Sequence, residues 1–115
     1  MVIWYQEIRK GELDMSKSIA TMTIEGKTYS VRATDHALDR MKKRKVDEYV
    51  VSGTILALGK DRLLDLQEND EDAIIIDNDK DISIVISFYN NTIKVVTVID
   101  KSRVWVKSNT TIVNI

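Results

Sequence analysis

The sequence predicts an α+β domain in which two helices pack on an antiparallel β-meander of four to six strands. Three observations carry that expectation. Ile82, Ile84, Ile86 and Phe88 alternate with Ser83, Val85 and Ser87, the period of a strand with one face on a core. Ala37, Leu38 and Met41 recur at helical spacing. Between these periods, short β-branched runs flank glycine and asparagine pairs that suit tight turns.

In chain order, residues 21–24 and 28–32 read as a hairpin closed by Glu25-Gly26-Lys27. The period changes at Thr34, where Thr34 or Asp35 is placed to cap a short helix that ends in the basic run Lys42-Lys43-Arg44-Lys45. A second helix is expected to start from Asp47, to carry Val50, Val51, Thr54, Ile55 and Leu58 towards the core, and to stop at Gly59. Strands are then expected at 62–68, 72–77, 82–89 and 92–99, the last pair joined through Asn90-Asn91. Segments 103–106 and 110–113 extend the sheet. Residues 1–19 are expected to form an amino-terminal extension and residues 20–115 one domain.

Composition narrows the chemistry. The 115 residues are 43% hydrophobic and 30% charged with no proline, which describes a folded chain and not a low-complexity one. Cysteine is absent and histidine occurs once, which removes disulfides, thiol nucleophiles, cysteine zinc sites and multi-histidine metal centres. No cofactor is called for. Seventeen basic residues nearly cancel eighteen acidic ones, so attraction to a polyanion has to be local. The start, MVIWYQEI, is too short an apolar run for a secretory signal, and no stretch approaches the roughly 20 apolar residues of a membrane span. A cytoplasmic protein that does not enter the membrane is expected.

The segment TDHALDRMKKRK spaces His36, Arg40 and Arg44 by four. At about 100° per residue, a step of four drifts about 40°, so the three side chains occupy one stripe within roughly 80° of a helix surface. In the first turn, beside two cations, the imidazole is kept neutral. A neutral imidazole beside fixed positive charge can take the proton of a ribose 2′-hydroxyl while the arginines hold the phosphate, without metal. The same stripe also admits a plain structural role, with His36 filling a polar gap and the arginines solvated.

His36-Ala37, Arg40-Met41 and Arg44 spell H-A-x-x-R-M-x-x-R, followed by Val46, a second helix and a meander ending in Val95-Val96-Thr97-Val98. That order resembles the small bacterial and phage domains grouped with RelE-like and BrnT-like toxins, over residues 28–100. The resemblance implies the barnase-EndoU-colicin-RelE fold, with helices on one face of an antiparallel sheet. It further implies a metal-independent endoribonuclease or RNA-binding toxin-like protein of a phage or mobile element, with an antitoxin as a natural partner. His36, Arg40 and Arg44 carry over to the catalytic motif, and Thr97 to a polar position in the terminal strand. The chain departs from the strongly basic toxins in its near-neutral charge and lacks their tail of lysines, arginines and tyrosines. A competing expectation is a non-enzymatic accessory or inhibitor protein on this scaffold that binds a host protein, with homo-oligomerisation left open.

Two further features have local readings. Between Asp61 and Asp81 nine acidic residues stand against Arg62 and Lys80. Within them Asp77-x-Asp79-x-Asp81 opens like a calcium loop, but Ile82 stands where glycine belongs and Phe88 where the closing glutamate belongs, so a solvated turn is expected. Trp4, Tyr5, Tyr29, Tyr49, Tyr89 and Trp105 offer stacking faces, yet none lies among interleaved basic residues. Core packing or a protein interface is expected of them, above all of Trp4 and Trp105.

Overall fold

A computed structural model describes residues 16–69, 72–106 and 110–115. The elements run β1 (Ser16–Ile24), β2 (Lys27–Thr34), α1 (Asp35–Lys43), α2 (Glu48–Leu56), α3 (Lys60–Asn69), β3 (Ala73–Asp77), β4 (Ile82–Tyr89), β5 (Thr92–Ile99) and β6 (Thr111–Asn114). The six strands form one sheet in the order β1-β2-β5-β4-β3-β6. The class is α+β as expected, with a third helix and a mixed sheet.

The β1–β2 hairpin turns through Glu25 and Gly26, both at positive φ (50° and 80°), the twist that matches two antiparallel strands. β1 begins at Ser16, so residues 16–18 of the expected extension pair with β2, as Ser16 does with Thr34, and the register shifts at Ile19. Trp4 and Tyr5 lie outside the described residues.

The expected strand at 62–68 is helix α3. Leu63 and Leu66 are buried and Leu64 and Gln67 half-buried, a spacing of three and four that lays one helical face on the core. Gly59, at φ 83°, ends α2 and accepts the Leu63 N–H at 3.2 Å, so one residue closes one helix and opens the next.

Strand direction follows from connectivity. The three helices return the chain to the end of the sheet where β2 began, so β3 runs the same way as β2. Two tight reversals later β5 has that direction too, and it pairs with β2 in parallel, from Ser30↔Thr92 to Ala33↔Val95. β6 pairs with β3 in parallel. The expected all-antiparallel meander is therefore confined to β3-β4-β5. Residues 103–106 form no strand. They cross the outer face instead, where Val104 and Val106 cover Ile74, Ile76, Val85 and Val96.

The main core lies between the helices and the other face of the sheet. Val31, Ile55, Ile75, Ile84, Ile86 and Val95 are fully enclosed there. A β-bulge interrupts β5: Ile86 pairs with Val95 and Val85 with Thr97, leaving Val96 unmatched. Val96 joins the outer-face cluster while Val95 and Val98 belong to the helix-side core, so the bulge resets the alternation of the strand.

Candidate functional site

Thr34 places the site. Its hydroxyl accepts the Ala37 N–H at 3.0 Å, capping α1, and donates to the Val96 carbonyl at 3.2 Å. The start of α1 is thereby fastened to the bulge in β5. Ala37 and Met41 are buried and Leu38 half-buried, which fixes the apolar side of the helix and turns the stripe of His36 and Arg40 away from the core.

His36 and Arg40 touch. The Arg40 Nε–H donates to His36 Nε2 at 3.3 Å, one turn apart on the helix. A ring nitrogen that accepts from a guanidinium carries a lone pair, so this contact belongs to the neutral imidazole. The pKa of His36 is lowered from 6.5, first by burial and next by Arg40, with Arg44 and Lys43 adding to the effect and Asp39 opposing it. Lys43 pairs with Asp39 at 3.2 Å on the exposed side. Burial, more than helix position, thus accounts for the neutrality expected from sequence.

Arg44 follows the last helical residue and is drawn elsewhere. Its guanidinium donates to the Val98 carbonyl and lies 3.6 Å from the Asp100 carboxylate, tying the helix end to the end of β5. With Lys80, Asp81 and Asp100 it borders a groove of about 490 Å³. Thr97 is fully buried, and among the described residues its hydroxyl has no hydrogen-bond partner. Residues directly opposite in a sheet share a face, so Thr97 lies with Val85 on the outer face, to which the bulge has turned it. Of the four residues singled out by sequence, His36 and Arg40 are in contact, Arg44 fastens helix to strand, and Thr97 is enclosed.

The acidic turn has structural duties. Asp77 accepts the backbone N–H groups of Asp79 (3.0 Å) and Lys80 (3.1 Å) and faces Lys80 Nζ at 3.5 Å. Asp81, at positive φ, accepts both the N–H and the hydroxyl of Ser102, which lower its carboxyl below the usual range. Among the described residues no group of three carboxylate, histidine or cysteine side chains is arranged to hold a metal ion. Tyr29 packs in the core and donates to Gln67 Oε1 at 2.8 Å. Trp105, expected in a core or interface, is 65% exposed, because Val104 and Val106 on either side take up the packing.

Sequence reasoning passed over Thr34 as a double anchor, Asp100 as the partner of Arg44, and the register that sets Arg32 beside Lys94. Only the last had a signal in the chain, the alternate positions of two predicted strands. Among the described residues no helix is long and apolar enough to cross a membrane. Comparison with protein-family models, with curated proteins and with solved structures finds no match to this chain.

Proposed function

We propose that this protein is a metal-independent endoribonuclease, or an RNA-binding relative of one, of the toxin-like kind carried by phages and mobile elements and working in the cytoplasm. The contact between Arg40 Nε–H and His36 Nε2 carries the reading. It keeps a basic lone pair in reserve beneath a cation. A phosphodiester that draws the guanidinium onto its oxygens releases Nε2, which then takes the proton of the adjacent 2′-hydroxyl. The 2′-oxygen attacks phosphorus, the bond to the 5′-oxygen breaks, and the departing oxygen regains a proton from the imidazolium, leaving a 2′,3′-cyclic phosphate and a 5′-hydroxyl. Arg40 offsets the charge gathered on the phosphoryl oxygens.

The test is cleavage of structured and single-stranded RNA in a chelator. His36→Ala should lower the rate by about 10²- to 10⁴-fold with the fold intact, the usual contribution of a general base. Arg40→Ala should weaken binding and turnover together. Equal cleavage by wild type and His36→Ala would sink the assignment.

A second reading, a non-enzymatic inhibitor that binds a host protein, draws support from the exposed Trp105 and Ile112. RNA left intact by wild type, together with a stable complex lost on Trp105→Ala, would favour it.

A further inference from the structure

The outer face of the sheet changes character from one half to the other. On the β3 side it is apolar and lies under Val104 and Val106. Across β1, β2, β5 and β4 it is polar: Ser18 pairs with Arg32, Arg32 with Lys94, and Lys94 with Ser87. Directly paired residues project from the same face of strands about 4.8 Å apart, so the four make one row. The flanking residues Val31, Ala33, Ile93, Val95 and Ile86 all belong to the helix-side core, which fixes the row on the opposite face.

Two basic residues therefore occupy adjacent register positions, with the Arg32 guanidinium drawn towards β1. Lys94 is only 8% exposed, and among the described residues its side chain makes no hydrogen bond or ion pair. Arg32 is half-buried and among the described residues is aimed by neutral acceptors, Nε on Ser16 Oγ at 2.8 Å and a terminal nitrogen on the Ser16 carbonyl at 2.7 Å. Like charges directly opposite destabilise a sheet pair, and the burial of the Lys94 stem keeps its ammonium close to the sheet surface. An anion seated on the row offsets that repulsion. Hydroxyls border the row at Ser18, Ser30 and Ser87, with Ser18 Oγ and Ser30 Oγ 3.4 Å apart. A planar guanidinium, a point-charge ammonium and neutral O–H donors are together the complement of a tetrahedral oxyanion.

We propose that the row Ser18, Arg32, Lys94 and Ser87 is a phosphate-binding site, taking the phosphate group of a small molecule or of a nucleic-acid strand. It stands on register and burial and does not rest on cleavage at His36.

The full chain is titrated at low ionic strength with inorganic phosphate, with a mononucleotide, and with a short single-stranded RNA lacking a terminal phosphate, reading calorimetric binding and thermal shift. Saturable binding of at least one probe is expected, weakened about tenfold or more by Lys94→Met and by Arg32→Gln, the loss that one charge-assisted hydrogen bond represents. Lys94→Arg should retain binding, and Lys60→Met, which removes an exposed cation at the start of α3, should bind as wild type does, which separates this site from a general loss of positive charge. Binding of the small probes assigns a free phosphate group, and binding of the RNA alone assigns the strand. Lys94→Met keeps the length of the side chain, and circular dichroism checks that it folds. No saturable binding, undiminished binding by both charge-removing variants, or preference for polyglutamate over every phosphate probe would overturn the assignment.

Discussion

The polar groups of α1 and those of the outer sheet face have opposite fates. On and around α1 most have a neighbour: Thr34 bonds Ala37 and Val96, Arg40 bonds His36, Lys43 pairs with Asp39, and Arg44 reaches Val98 and Asp100. On the outer face Lys94 and Thr97 are buried with no bond among the described residues. The contrast teaches that charge count is a poor guide to a binding surface. The basic helix dominates the sequence, yet Arg40 and Lys43 are engaged within it and Arg44 fastens it to the sheet, while Arg32 and Lys94 on the strands face no counter-charge among the described residues.

The sharpest way to break this comparison is at Thr34. Thr34→Val keeps the shape but leaves the Ala37 N–H and the Val96 carbonyl without their partner. A loss of about 2 kcal/mol in chemical denaturation is expected. A neutral result would mean that α1 is not held to β5 by this residue. Arg44→Met removes a half-buried charged hydrogen bond and a partly exposed ion pair. It should cost about 1 kcal/mol, with the ion-pair share discounted for solvent.

On the outer face the sign reverses. Thr97→Val replaces an unpartnered buried hydroxyl by a methyl group and should stabilise the chain by about 1 kcal/mol, seen as a rise in Tm. A fall in Tm would show that the hydroxyl has a role in the fold.

The smallest effect is the pH dependence through His36. Its folded pKa lies below 6.5, so between that value and 6.5 the unfolded chain binds more protons than the folded one. Stability from this group is complete above 6.5, declines as pH falls through the window, and is lost below the folded pKa. His36→Gln should flatten that slope in denaturation curves measured from about pH 7.5 to about pH 5.

Local signals in the chain identified much of this fold. The Glu25-Gly26 turn, the Thr34 cap, the Asp47 cap and the alternation of β4 each act within a few residues and are readable in order. α3 escaped because Leu63, Leu64 and Leu66 fit a short strand as well as one helical turn, and only the distant core decides between them. The parallel pairings of β5 and β6 depend on which end of the sheet the chain re-enters, a property of whole connections. At the site, spacing by four was enough to bring His36 and Arg40 together. It could not place Arg44, because the chain leaves the helix there and an acceptor at the end of β5 takes over. Parity along β5 would put Thr97 with Ile93 and Val95, and one unmatched residue, Val96, turns it to the other face.

The parallel pairing of β2 with β5 also bears on how the chain is made. Thr34 finds the Val96 carbonyl 62 positions further on, so β2 leaves the ribosome long before its central neighbour exists. Until then the hairpin of β1 and β2 has Tyr29, Val31 and Ala33 without the strand beside which they are finally buried. Closing that long loop precedes any gain from the contacts it allows, so the β2–β5 junction is expected to form after the local hairpins. The β4–β5 hairpin, joined through Asn90 and Asn91, can assemble first and present a finished edge for β2 to meet.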